Sequence, residues 1–262
     1  VVVSSEDAEF QPGTDVLVNG CGLSETVDGG FSEYARLDSQ SLVAVPEGMT
    51  CAQAMQIGTA GYTAALAIHR MEQNNQTPDL GPIVVTGATG GVGSIAIDML
   101  AGCGYEVAAV TGKADEEAYL KAIGATQIVL RDEIDFGKRP LEKPLWGGAI
   151  DNLGGDYLTW LTRTTDYGGN IASIGLAASH ELNTTVMPFI LRAVCLLGIN
   201  SVETPRELRR AVWARIGGDL MPGHLDTIGS RTISFDELPD AFQAYMDGTV
   251  TGRVVVEVTP ER

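Results

Sequence analysis

Gly87-Ala88-Thr89-Gly90-Gly91-Val92-Gly93 is the stretch that most narrows what this chain can fold into. The run Ile83-Val84-Val85-Thr86 precedes it with the character of a buried strand, and residues 92–103 follow with helical spacing. Glycines between a strand and a helix allow a tight turn and bring backbone N–H groups against a pyrophosphate. The helix start adds unpaired N–H groups and the positive end of the helix dipole. A glycine turn alone means little. Between a strand and a helix it reads as a dinucleotide cradle rather than a plain loop.

The alternation continues downstream. Strands are expected over 106–110, 127–130, 148–151, 169–174 and 195–199, with helices over 116–123, 157–165 and 186–192. Such a series builds right-handed βαβ units, so the fold class is α/β, a doubly wound parallel sheet covered on both faces. Upstream, β structure and turns are expected to Pro46, with runs at 16–18, 29–35 and 42–45. Thr50 and Gln53 have capping-box spacing, which opens a helix, and a second helix is expected over 61–73. Thr204-Pro205 opens a further helix to about Gly217; 238–246 reads as a short helix and 254–256 as a strand. This tail is expected to leave the βαβ series and rejoin the opening β-rich segment. The division is a dinucleotide-binding domain at 58–202 and a second domain made of 1–57 and 203–262. The chain opens on Val1-Val2-Val3 with no Met, as in mid-strand, so a preceding segment is expected.

The strand at 106–110 leads into Thr111-Gly112-Lys113. NAD-binding folds place a carboxylate there for the ribose 2′-OH. A hydroxyl, a glycine and a lysine accept a 2′-phosphate instead, so NADPH is expected over NADH. The net charge of −17 argues against non-specific nucleic-acid binding. No apolar run is long enough to span a membrane. Cys21, Cys51, Cys103 and Cys195 are scattered, which fits free thiols in a reducing cytoplasm better than a zinc site or a disulfide framework. His69, His180 and His224 stand alone, without a triad, and are read as structural.

Several stretches together carry a resemblance: Ile57-Gly58-Thr59-Ala60-Gly61-Tyr62-Thr63, the glycine turn, Arg139-Pro140-Leu141-Glu142-Lys143, Thr184-Thr185-Val186-Met187-Pro188-Phe189-Ile190-Leu191-Arg192, and Gly252-Arg253. The chain resembles the medium-chain dehydrogenase/reductase superfamily on its zinc-free, quinone-oxidoreductase-like branch, and within it the acrylyl-CoA reductase (NADPH) group. Cys21 departs from that group, where a tryptophan looks usual. The group's Asn-Tyr-Lys-Asp stretch near the active site is not in this sequence, so no catalytic residue or proton donor is assigned.

The resemblance implies a Rossmann sheet plus an incomplete GroES-like β-rich domain, no metal, and hydride transfer from NADPH to the β-carbon of acrylyl-CoA, giving propionyl-CoA. A homodimer through edge pairing of the strand at 195–199 is expected. Strand ends facing the cofactor supply candidate contacts. These are Thr59; Thr89, Gly90, Gly91 and Val92; Thr111, Gly112 and Lys113; and Asn152, Gly175, Leu176, Asn200 and Ser201. Arg253 is a candidate cofactor-phosphate contact and Arg192 a candidate acyl-CoA contact, because an acidic chain that binds polyanions needs local cations. Two other readings stay open: a quinone or enone reductase, and a dinucleotide-binding protein without turnover.

Overall fold

A computed structural model describes residues 1–258. In the opening segment only Val16–Leu17 (β1) and Val43–Ala44 (β2) are strands, paired antiparallel. The run expected over 29–35 is not a strand. Residues 30–36 are exposed and no strand pairs with them, so nothing continues their backbone ladder. Val1 to Val3 form no strand either; Val2 exchanges hydrogen bonds with Gly13 and Thr14 in a turn.

Cys51–Gln73 (α1) begins at the expected capping box. Thr50 Oγ1 accepts from the Gln53 N–H (3.1 Å), and Gln53 Oε1 accepts from the Thr50 N–H (2.9 Å). As expected, two helices lie here, joined at a kink at Gly58, whose φ of 49° and ψ of −156° are not helical.

From there strand and helix alternate: Ile83–Thr86 (β3), Gly91–Gly102 (α2), Val107–Thr111 (β4), Glu117–Ala122 (α3), Gln127–Leu130 (β5), Trp146–Asp151 (β6), Gly155–Thr164 (α4), Thr165–Ser173 (β7), Met187–Arg192 (α5) and Cys195–Gly198 (β8). The six strands β3 to β8 pair in parallel, in the order β5-β4-β3-β6-β7-β8. That is the doubly wound order of a Rossmann sheet. Period two divides the side chains. Ile83 and Val85 join Val107, Ala109, Ile150 and Ala172 in a core with Leu66 of α1 and Ile95 and Met99 of α2. Val84, Ala108, Val110, Ala149 and Ile171 join Leu158 and Leu161 of α4 in a second core. Burial on both faces is why β3 reads as a continuous apolar run.

The tail holds Arg206–Ile216 (α6), Leu225–Ile228 (α7), Arg231–Ser234 (β9), Leu238–Met246 (α8) and Val254–Glu257 (β10). Helix α6 meets the opening segment. Trp213 stacks on Tyr62 and donates its indole N–H to Asn19 Oδ1 (2.8 Å), and Arg206 and Arg210 pair with Glu9. The expected end of the βαβ series is corrected: β9 and β10 pair in parallel on either side of α8, which makes one more such unit. Arg231-Thr232-Ile233-Ser234 has one apolar residue, so no alternation marks it as a strand. Residues 259–262 of the expected second domain lie outside the described residues. Among the described residues no helix is long and apolar enough to cross a membrane.

Candidate functional site

Parallel strands bring their carboxyl ends to one edge. The ladder between β3 and β6 stops at Val85 and Ile150, and the chain winds away in opposite directions beyond it, which opens a crevice. Gly87 (φ 61°) begins the glycine turn, and the Gly90 N–H donates to its carbonyl (3.0 Å). A Cβ on Gly93 would lie 2.4 Å from that carbonyl oxygen and 2.8 Å from Ala88 Cα, and backbone cannot yield, so glycine is required there. Gly90 caps α2 without a side chain, which leaves the first N–H groups, at Gly91, Val92 and Gly93, for a ligand.

A strap from the tail crosses this turn. The Gly252 N–H donates to Thr89 O (2.9 Å) and the Arg253 N–H to Ile228 O (2.7 Å). Arg253 Nε donates to Gln56 O (3.0 Å), and its guanidinium lies over two glycines. A Cβ on Gly58 would come within 2.6 Å of Nη2, and one on Gly91 within 2.9 Å of Cδ. No carboxylate among the described residues pairs with Arg253, and burial pushes its guanidinium below the ordinary value. A buried cation at a helix start with no carboxylate partner among the described residues, in a chain of net charge −17, fits the place of a pyrophosphate. Thr59 follows the break at Gly58 and is exposed, and its carbonyl accepts from the Thr63 hydroxyl (2.6 Å).

The ends of β4 and β5 lie beside the turn. Thr111 is buried and its Oγ1 accepts from the Lys113 N–H (3.0 Å). The Lys113 ammonium does not stand free. It donates to Val250 O (2.9 Å) and Thr251 Oγ1 (3.2 Å), and the Thr251 hydroxyl donates to Glu116 Oε1 (2.7 Å). The cation lying on Gly112 is Arg131. A Cβ there would meet its Nη2 at 2.2 Å and its Nε at 2.4 Å. Arg131 is exposed and its side chain has no hydrogen bond or ion pair among the described residues. Nothing in the linear sequence marks it; the strand order, which sets β5 against β4, brings it to Gly112.

On the other side of the turn, Asn152 donates its N–H to Thr86 Oγ1 (2.9 Å) and its Nδ2 to Thr86 O (2.7 Å). Gly175 sits so close that a Cβ would lie 2.5 Å from Asn152 O, and Leu176 beyond it is exposed at the rim. Asn200 forms a turn, its Oδ1 accepting from the N–H groups of Val202 (2.9 Å) and Glu203 (3.1 Å). Gly20 packs against the carbonyls of Ser201 and Val202, and the Cys21 N–H donates to Val202 O (3.0 Å), so the Cys21 loop borders this end. Arg192, the candidate acyl-CoA contact, is engaged by backbone carbonyls. Its guanidinium donates to the carbonyls of Glu142 (2.5 Å), Arg163 (2.8 Å) and Thr165 (3.3 Å). Across the sheet from β5 to β8, Arg131, Gly112, the glycine turn, Asn152, Gly175 and Ser201 follow one another along one edge.

Comparison with known proteins gives the setting. A family model described as zinc-binding dehydrogenase matches residues 91–216. Among the described residues no three His, Cys, Asp or Glu gather where they could hold a metal, so the residues described here do not fit a zinc ion. The putative quinone oxidoreductase YhfP of Bacillus subtilis (strain 168) is 44% identical over 258 residues, covering 98% of this chain and 78% of that protein. The acrylyl-CoA reductase AcuI of Ruegeria pomeroyi is 45% identical over 258 residues, with the same coverage of 98% and 78%. Among solved structures, the yhdH oxidoreductase from Salmonella enterica in complex with NADP superposes with a TM-score of 0.94 at 43% identity, covering 98% of this chain and 79% of that one. The Bacillus subtilis protein yhfP with NAD bound gives 0.95 at 44% identity, covering 98% and 78%.

Proposed function

The chain belongs to the zinc-binding-dehydrogenase-like medium-chain dehydrogenase/reductase superfamily and is an oxidoreductase of it, and we propose that it uses NADPH to reduce the C=C bond of acrylyl-CoA to propionyl-CoA. The observation that carries the cofactor half is the Arg253 guanidinium, without a carboxylate partner among the described residues, over Gly58 and Gly91 at the start of α2. When bound, NADPH supplies a hydride to the β-carbon of the enoyl thioester.

The chain's own residues do the holding. The first N–H groups of α2 and Arg253 take the pyrophosphate. Arg131, on Gly112, takes the 2′-phosphate as a forked donor. Gly112 lets that guanidinium lie against the backbone, and no carboxylate at the end of β4 repels the phosphate. The edge from Asn152 to Leu176, with Thr59 and Ser201 facing it, flanks the nicotinamide half. Residues 58–202 form the cofactor domain, and 1–57 with 203–262 the substrate side. Charge that develops on the thioester oxygen calls for a donor aimed at it, and the α-carbon for a proton source.

The substrate rests on relatives named acrylyl-CoA reductase that are 45% and 44% identical. YhfP, equally similar, favours a quinone as the second reading. NADPH oxidation measured side by side with acrylyl-CoA, crotonyl-CoA and a quinone separates them. The expected result is the highest kcat/KM with acrylyl-CoA; a quinone rate far above both thioesters overturns it.

A further inference from the structure

Asp151, the last residue of β6, is wholly buried and has no cation among its partners. Burying a carboxyl without a counter-ion is costly, so its hydrogen bonds have to offset that cost. Oδ1 accepts from the Thr86 hydroxyl (2.7 Å) and the Leu153 N–H (3.3 Å), and Oδ2 from the Gly154 N–H (2.9 Å). Thr86, the last residue of β3, is buried as well. Its hydroxyl oxygen accepts from the Asn152 N–H (2.9 Å) and its carbonyl from Asn152 Nδ2 (2.7 Å).

The backbone ladder between β3 and β6 ends one residue earlier, at Val85 and Ile150. Side chains therefore continue the join where the ladder stops. The next residue on one side is Gly87, which opens the glycine turn. A Cβ on it would sit 3.3 Å from Asn152 Cβ, so the two lips of the crevice nearly touch. On the other side, Gly154 (φ 69°) and Gly155 (φ 59°) turn the chain into α4, and the first of these is held by Asp151 Oδ2.

We infer that Asp151, acting through Thr86, is a positioning residue for the dinucleotide: the pair holds the glycine turn and the Asn152–Gly154 loop at the separation the cofactor needs. The inference rests on the reading of this crevice as the NADPH site. Neither side chain has to touch the cofactor. Asn in place of Asp151 keeps the volume but turns an acceptor into an N–H donor, which then faces other donors. Val in place of Thr86 keeps the shape and removes the hydroxyl that links both strands.

The test measures NADPH binding by nucleotide fluorescence in the wild type, Thr86→Val, Thr86→Ser, Asp151→Asn and the Thr86→Val/Asp151→Asn double variant. Kinetics and thermal midpoints are recorded alongside. Losing one buried hydrogen bond corresponds to a rise in the Kd and KM for NADPH on the order of tenfold. The two single variants are expected to show it, the double variant to add little because the pair acts as one unit, and Thr86→Ser to recover the wild-type Kd. The KM for the enoyl thioester should move by less than about twofold, since only binding of the cofactor is disturbed. A lowered thermal midpoint in Thr86→Val with an unchanged Kd assigns the pair to stability alone and overturns the inference. Should Asp151→Asn fail to fold, the Thr86 pair decides. Wild-type protein that binds NADPH but reduces no acceptor overturns the proposed reaction and leaves this inference to the Kd ratios; wild-type protein that binds no NADPH overturns both.

Discussion

Two cations lie at the end of the crevice proposed for the adenosine, and they differ in what they are free to do. The Lys113 ammonium is held by Val250 O and Thr251 Oγ1, whereas the Arg131 guanidinium lies on Gly112 with no partner among the described residues. Arg131→Ala is therefore expected to lower kcat/KM with NADPH roughly 10- to 100-fold, the worth of hydrogen bonds to a charged group, and to leave NADH nearly unchanged. Lys113→Ala should shift the ratio of the two by less than about threefold, because its charge is already engaged. Steady-state kinetics with both cofactors checks this, and an equal loss with NADH would remove the 2′-phosphate role. Lys113 is legible in the sequence because it directly follows the strand that carries it. Arg131 and Asp151 are not, since each matters only through a strand that pairing order places beside it. Read linearly, Asp151 is an ordinary strand end.

Elements written by periodicity and caps are legible: the glycine turn with α2, the capping box of α1, and the strands from β3 to β8. Those that depend on partners are not. Residues 29–35 leave a glycine turn as a strand would but find no ladder among the described residues, and β9 has a ladder but no alternation. The loop at 137–142 shows another device that patterning misses. Glu142 accepts from the Arg139 guanidinium (2.6 and 2.9 Å), the Arg139 N–H (2.8 Å) and the Lys138 N–H (3.0 Å). The Arg139 side chain, then these backbone donors, hold its carboxyl down to about 2 from an ordinary 4.5. The folded value is the lower one, so the stabilisation is complete above pH 4.5 and is lost as pH falls toward 2. Its backbone carbonyl also receives Arg192, so loosening this loop loosens the tie to the end of α4. Glu142→Gln is expected to flatten the acid limb of the thermal-midpoint profile between those values; superimposable acid limbs for variant and wild type would contradict it.

At the scale of the whole molecule, the six-stranded sheet ends at β8, which has a neighbour on one side only. Leu196 on that edge is partly exposed, and Val186, Ile190 and Leu191 just before it are exposed as well. A free edge beside an apolar band invites another strand, and pairing two copies through β8 would bury both features. A homodimer is therefore expected by sedimentation equilibrium, with Leu196→Lys shifting the mass toward the monomer; a monomeric wild type at working concentration would refute it. The strap has a different kind of consequence. Gly58, Gly91 and Gly112 are in place once the sheet has closed, but Arg253 follows every strand of that sheet in the chain. During synthesis the early part of a chain can fold while the rest is still being made. The six-stranded scaffold can thus form before Arg253 is made, so the cation that would grip the pyrophosphate reaches a crevice already built.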